Sequence, residues 1–397
     1  MSAHRRSPRR PARPLGPGAA LLTASLVLAA CGGSSDDDAA AAVGGDGALA
    51  DCPATVVLQT NWFPEPEHAA AYQLIDPAEA TIDAEAGIYS GPAVADGNVT
   101  IEIRAGGPFI GFQSNTALLY TDDDVMLGMV DTDESVRLSA EQPTTAVVTP
   151  LELNPQVLLW DPDKYDFTSF ADIGESDATV LYFQGATYMD YLRQQGFVRA
   201  EQLDGSFDGS LTRIVAGEDV VIQGYVTQEP WRLENEFTDF GKEPGYLTLG
   251  DAGYDTYGSA WAGTPEAVEA NSACLSQLVP LLQQGQVDYM YDPQPVNEAI
   301  SAYLEEIGQF FQITPERAAA ITDSLHEDGI VANAPDGTLG AFDDERMERM
   351  TELLIGVFDD LDTELADGLT ADDIYTNEFI DPSISYDPSR YTLQSGS

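Results

Sequence analysis

The residues best equipped for chemistry crowd into one stretch, LQTNWFPEPEHAAAY, running from Leu58 to Tyr72. Asn61, Trp62, Phe63, Glu65, Glu67 and His68 fall between a strand-like run and a helix-like run. Two chemistries are open to such a set. Glu65, Glu67 and His68 are metal ligands by type, but EPEH has no second histidine, and Pro66 breaks the regular facing that chelation needs. The other chemistry is binding. Aromatic faces stack on a planar heterocycle while a few amides and carboxylates read its edge. A second group at predicted loop ends fits the same use: Phe109, Trp160, Tyr188, Tyr225, Trp231, Tyr254 and Tyr257, with Gln184, Gln228, Glu229 and Asp255 beside them. Taken singly, each ring is more often packing in a core or between lobes; it is the set at strand ends that points equally to a pocket.

Covalent catalysis has little to work with. Beyond the first 30 residues the histidines are His68 and His326, and there is no Gly-x-Ser-x-Gly, His-Glu-x-x-His or Cys-x-x-Cys. GGPFIGF, Gly106 to Phe112, is glycine-rich but lacks a following lysine and the dinucleotide spacing, so it reads as a tight turn. No metal, cofactor or reaction is expected.

The elements that must position these residues alternate. TVVLQTNWF is a buried-strand pattern, and PEHAAAYQLI a helix with proline near its start. ATIDAEAGIYSGPAVADG reads as a hairpin or a wandering insertion, and NVTIEIRAGG as a half-buried strand. DDVMLGMVD, TTAVVTPLEL, PQVLLWDP and ATVLYFQ are further strands, and TDESVRLSAEQ and ATYMDYLRQQGF helices. EDVVIQGYVTQEPW is a strand running into a loop, and GYLTLGDAGYDTYGSAWAG two short strands around a turn. Four helices follow, beginning PEAVEANSACLSQ, PQPVNEAISAY, PERAAAITDSL and DDERMERMTEL, before an irregular tail. The rhythm predicts α/β lobes with mainly parallel sheets.

Composition sets the address. The 397 residues carry a net charge of −50. Five of the 17 basic residues lie in the first 30, which contain no acid, leaving 12 bases against 67 acids in the remainder. Such a surface repels nucleic acid and anionic lipid. The acids are spread along the whole chain, which fits adaptation to high salt better than one acid-lined site. The basic start, the apolar GAALLTASLVLAA and the ending LAAC predict a lipoprotein signal peptide over 1–30 with Cys31 lipidated. The Gly/Ser/Ala/Asp run after it predicts a flexible tether over 31–53. The protein is then extracytoplasmic and held to the cell membrane by its lipid alone. Arg-Arg pairs leave the Sec and twin-arginine export routes both open. Cys52 and Cys274 remain in an oxidising compartment and are disulfide candidates.

In order along the chain, several motifs resemble one family. LQTNWFPEPEHAAAY is similar to the NWFP…H…Y opening of the family that binds thiamine-pyrimidine precursors. That family comprises solute-binding proteins of ABC importers, related to the sulfonate binders, and a fungal pyrimidine synthase. VTIEIRAGGP, DDVMLGMVDTDE, NPQVLLWDP, GYVTQEPWRLENE and LGDAGYDTYG look like its later segments, from Thr55 to about Asp328. The resemblance implies a periplasmic-binding-protein type II fold: two α/β lobes around a ligand cleft, joined by two crossovers, here with extra C-terminal helices. It places lobe I in 54–148 plus 260–397, and lobe II in 149–259. It implies ligand contacts from Asn61, Trp62, Phe63 and His68, faced by Tyr225, Glu229, Trp231 and Tyr257, with Tyr188 added from the aromatic set. The expected partners are a small heterocycle (a pyrimidine precursor, or riboflavin), an ABC permease and an ATPase, and the expected state is a monomer. Two departures bear on the ligand. DPAEATIDAEAGIYSGPAVADGN replaces the family's usual GYY…GLDV, and Gln228 stands where the family often has serine. Two other readings stay open: a pyridoxal-dependent synthase, for which Lys164 and Lys242 are the available lysines, and a sensor domain.

Overall fold

The structure, a computed structural model, describes residues 47–395. The predicted leader over 1–30, lipidation at Cys31 and most of the tether lie outside the described residues. Six strands come first: β1 (Thr55–Gln59), β2 (Thr81–Asp83), β3 (Ile88–Ala93), β4 (Asp96–Arg104), β5 (Val125–Val130) and β6 (Thr145–Val148). Five more follow: β7 (Gln156–Trp160), β8 (Thr179–Leu181), β9 (Leu203–Asp204), β10 (Val220–Tyr225) and β11 (Gly245–Thr248). β12 (Ala260–Gly263) closes the set. They form a seven-stranded sheet, β2-β3-β4-β1-β5-β12-β6, and a five-stranded sheet, β11-β7-β10-β8-β9.

The sheets are mixed rather than mainly parallel: among the described residues four strand pairings run parallel and six antiparallel, since β2, β3 and the returning β12 add antiparallel neighbours in the first sheet and β7 and β11 in the second. The pattern of burial explains the parallel pairs at the centre of the first sheet. VMLGMV in β5 is buried at every position, and so is TVVLQ in β1 after its first residue. Strands covered by helices on both faces read as unbroken apolar runs. β1 runs parallel to β4 and β5, with Val56 opposite Ile101 and Leu58 opposite Leu127. In the second sheet β10 runs parallel to β8 and antiparallel to β7. β12 enters the first sheet antiparallel to both β5 and β6, having returned from the second lobe. The fold is therefore that of a type II periplasmic binding protein, two α/β lobes with the chain crossing at 149–155 and again at 253–259.

Of the two forms expected for the insertion after Ile75, it takes the hairpin: β2 pairs β3 and β3 pairs β4, so it extends the first sheet to its edge. Two local readings are corrected. The segment after Gln228 is a helix, Glu229–Asn235, because Pro230 occupies its first turn, where no N–H is required. The part of the tether that is described, 47–53, is packed. Leu49 and Cys52 are buried, and Gln277 donates to the Asp51 carboxylate at 2.6 Å. Cys52 is joined by a disulfide to Cys274 on the helix Ser272–Tyr291. No helix among the described residues is long and apolar enough to cross a membrane.

Candidate functional site

The junction after β1 is laid against the turn after β4. Gly106 N–H donates to the Trp62 carbonyl at 2.8 Å, and Gly107 N–H to that of Asn61 at 3.3 Å. A Cβ on Gly106 would lie 2.4 Å from the Asn61 carbonyl carbon, so the close approach requires glycine there. Trp62 is half-buried over Gly107 and tilted against Phe112 at 6.1 Å. Phe63 is fully buried. It stacks on Phe311 at 5.2 Å and meets Trp62 edge-on at 5.7 Å. Phe63 thus braces Trp62 from the core. Phe311 and its neighbour Phe310, 72 % exposed, come from the loop between the helices Gln294–Ile307 and Pro315–Glu327.

Behind Trp62 lies a bonded polar cluster. Asn61 Nδ2 donates to Ser259 Oγ at 2.9 Å, which leaves Asn61 Oδ1 to accept from His68 Nε2 at 3.1 Å. His68 is therefore the Nε2–H tautomer, and its Nε2 also lies 3.2 Å from Glu65 Oε1. Burial pushes His68 down to about 3, so at neutral pH the ring is uncharged. Burial, and next the charge of Glu67, push Glu65 well above the usual carboxylate range. The Glu65–His68 contact is accordingly a hydrogen bond and not an ion pair. Ser259 sits on the second crossover in the left-handed region, φ 55°, and its N–H donates to Asp131 Oδ1 at 2.6 Å. Burial, and then the neighbouring Asp133, raise Asp131 to about 7.

Glu67 spans the lobes. Its carboxylate accepts from Thr227 Oγ1 at 2.6 Å and from Gln228 Nε2 at 2.9 Å, both just beyond β10 of the second sheet. Gln228 in turn accepts from Arg317 Nη2 at 2.5 Å. All four side chains are buried. Burial raises Glu67, while the hydrogen bond from Thr227 opposes it. Arg317, packed over the Phe311 ring at 5.4 Å, supplies the compensating positive charge that a buried carboxylate needs. Glu67 stands out in the sequence only as a metal ligand by type, whereas here it joins the lobes by hydrogen bonds. Thr227, Arg317 and Asp131 carry no signal in the sequence, and what marks them is spatial.

The remaining predicted residues separate into three places. Tyr225 is raised by burial and by the fields of Asp131, Glu65 and Glu67, so it faces the first lobe's junction. Glu229 Oε2 accepts from Tyr225 N–H at 2.7 Å and its carboxylate pairs with Arg232 at 3.4 Å, so its charge is spent within the second lobe. Trp231 lies half-buried on the same helix. Tyr188 is buried and donates to Gln223 Oε1 at 2.6 Å. Next to it, Tyr254 donates to Asp133 Oδ2 of the first lobe at 2.9 Å. Tyr257 is not with them. It is buried in the hinge beneath Arg346, and its oxygen accepts from Asp343 N–H at 3.0 Å.

Among the described residues, no group of three or more His, Cys, Asp and Glu is arranged to hold a metal ion. A largely apolar cavity of about 360 Å³ lies between Leu74–Pro77, Ala93–Ala95 and the helix Ser272–Tyr291. It shares no residue with the junction.

No protein-family model matches the chain, and no curated protein matches it. Solved structures do. The aliphatic sulphonate binding protein SsuA of Escherichia coli superposes with a TM-score of 0.51 at 10 % identity, over 78 % of this chain and 88 % of that one. The zinc-bound ligand-binding component of an ABC-type import system from Staphylococcus aureus gives 0.51 at 11 % identity, over 83 % of this chain and 100 % of that one. At these identities the likeness is one of fold.

Proposed function

We propose that this chain is the solute-binding protein of an ABC importer, lipid-anchored outside the cytoplasm, and that it captures a small heterocycle by closure of its lobes. One observation carries the reading. The junction after β1 meets the segment after β10 across the lobes, through Glu67 with Thr227 and Gln228. These are the carboxyl ends of central strands in both sheets, where α/β folds place ligands. Trp62 offers a half-buried aromatic face at that point, and Asn61, Tyr225 and Asp131 offer polar edges. Closure is an equilibrium, and a ligand shifts it only as far as it prefers the closed state.

The charges favour a neutral or cationic heterocycle over the sulfonate of the Escherichia coli protein. Arg232 already meets Glu229 and Glu236, Arg317 meets Gln228, and Arg346 meets Glu152 and Asp255. Asp131 and Asp133 face Tyr188, Tyr225 and Tyr254 from the first lobe. The pyridoxal-enzyme alternative needs a lysine at the junction. Lys164 instead bonds Asp219 at 2.6 Å, and Lys242 bonds Asp161 and Asp163, all on the second lobe.

Thermal-shift titration and native mass spectrometry with hydroxymethylpyrimidine, formylaminopyrimidine, thiamine, riboflavin and methanesulfonate test this. A ligand that binds only the folded state raises its melting temperature saturably. A shift with one of the heterocycles is expected. A shift with methanesulfonate alone overturns the ligand class, and no shift with any of them at low and high salt overturns the heterocycle reading.

A further inference from the structure

Both crossovers are gripped by one side chain from far down the chain. Arg346 lies in the first turn of the helix Asp344–Asp359 and is only 4 % exposed. Its Nη1 donates to the carbonyl of Glu152, on the first crossover, at 2.6 Å. Its Nε donates to the carbonyl of Asp255 at 2.8 Å and its Nη2 to that of Thr256 at 3.3 Å, both on the second crossover. The Asp255 and Glu152 carboxylates lie at 3.1 and 3.4 Å, and the guanidinium carbon sits 3.7 Å from the centre of the Tyr257 ring. The crossovers also meet directly, Asn154 Nδ2 donating to Thr256 Oγ1 at 3.2 Å.

The helix that carries Arg346 is itself fixed to both lobes. Asp343 caps it, accepting from Arg346 N–H at 2.7 Å, while Asp343 N–H donates to Tyr257. The Val357 carbonyl accepts from Gln194 of the second lobe at 3.1 Å. Just past the helix, Ala366 N–H donates to Ser139 of the first lobe at 3.1 Å. Hinge motion is absorbed by φ/ψ changes in a few connecting residues. Here the connecting residues' carbonyls are bound to a rigid, forked donor, which holds them more tightly than the single ammonium of lysine could. On the far side of the same crossover, Ser259 bonds Asn61 of the junction and Asp131 just past β5.

We infer that Arg346 is the positioning residue of the hinge: one buried guanidinium fixes the two crossovers relative to each other and limits how far the lobes open. The residue touches no part of the junction, and the inference holds whatever the cleft takes. It makes the C-terminal helix part of the opening mechanism.

The test is the interlobe distance in the unliganded full chain, read by pulsed electron spin resonance between labels at Val94→Cys on the first lobe and Glu175→Cys on the second. Both positions are exposed. The background variants are Arg346→Met, Arg346→Lys and Arg349→Met. Arg349 is the control, an exposed residue that pairs with the same Asp255 but donates to neither crossover carbonyl. Arg346→Met should add a longer-distance population that wild type and Arg349→Met lack, with Arg346→Lys between. A folded Arg346→Met with the wild-type distribution overturns the inference, as does equal broadening in Arg349→Met. If Arg346→Met does not fold, Arg346→Lys decides: a wild-type distribution there overturns it, and a longer-distance component supports it.

Discussion

His68 and Asp131 belong to one bonded cluster and respond to pH in opposite senses. His68 is held down to about 3, below its ordinary 6.5, so the folded state keeps it neutral. Stability from that group is fully present above 6.5 and is lost as pH falls toward 3. Asp131 is raised from 3.8 to about 7, so between those values the folded state binds more protons than the unfolded chain. Stability therefore falls as pH rises through that window. Asn at position 131 can still accept from Ser259 N–H but never ionises. Asp131→Asn should melt with the wild type below pH 4 and about 1–3 °C above it at pH 8, by calorimetry. Equal melting at pH 8 would mean that the Asp131 carboxylate ionises there without cost to the fold. The buried Glu67 is harder to isolate, because Glu67→Gln would also disturb the hydrogen bonds from Thr227 and Gln228 that join the lobes.

At the scale of elements, the disulfide Cys52–Cys274 ties the segment before β1 to the helix Ser272–Tyr291, 222 residues along the chain. A crosslink over so long a loop restricts the unfolded chain strongly. Cys52→Ser with Cys274→Ser should cost about 2–5 kcal/mol in denaturant unfolding, and hydrogen exchange should rise first in 47–53. A fully protected 47–53 would show that Leu49, Asp51 and Gln277 hold the segment unaided. The same elements show where the sequence was readable. β1 and β5 were legible because strands covered on both faces must be apolar at successive positions. The helix Glu229–Asn235 falls where EDVVIQGYVTQEPW reads as a strand running into a loop, because a first turn tolerates Pro230. Asn61, Trp62 and His68 stood out by type, and the structure brings Asn61 and His68 within hydrogen-bonding distance. The burial of Glu65 and Glu67 left no mark, since in so acidic a chain a carboxylate reads as solvated. Glu67 is held by Thr227 and Gln228, and Gln228 by Arg317, all from distant segments. Phe311 behind Phe63 and Arg346 behind both crossovers were illegible for the same reason.

For the whole molecule, the charge is the dominant fact. After the first 30 residues, 12 bases face 67 acids. Several cations are already shared between two carboxylates: Arg104 by Glu102 and Asp122, Arg213 by Asp204 and Glu218, Lys242 by Asp161 and Asp163. With 12 bases for 67 acids most carboxylates have no cation to pair with, and the folded state concentrates their repulsion. Screening changes this steeply, since the Debye length falls from roughly 30 Å at 0.01 M salt to roughly 3 Å at 1 M. Salt also weakens the exposed ion pairs, but these are few and each contributes little. The melting temperature should therefore climb between 0.01 and 1 M sodium chloride, and potassium chloride should act equally. Sulfate at the same ionic strength should add a further rise, because its exclusion strengthens apolar burial. A rise with sulfate but not with chloride would locate the effect in the core and remove the electrostatic account. Lobe closure follows the same logic. It brings two acid-rich lobes together, so low salt should lengthen the Val94–Glu175 label distance and high salt should shorten it. A distance indifferent to salt, in a chain whose melting temperature is not, would show that Arg317 and the hydrogen bonds of Thr227 and Gln228 already neutralise the interface.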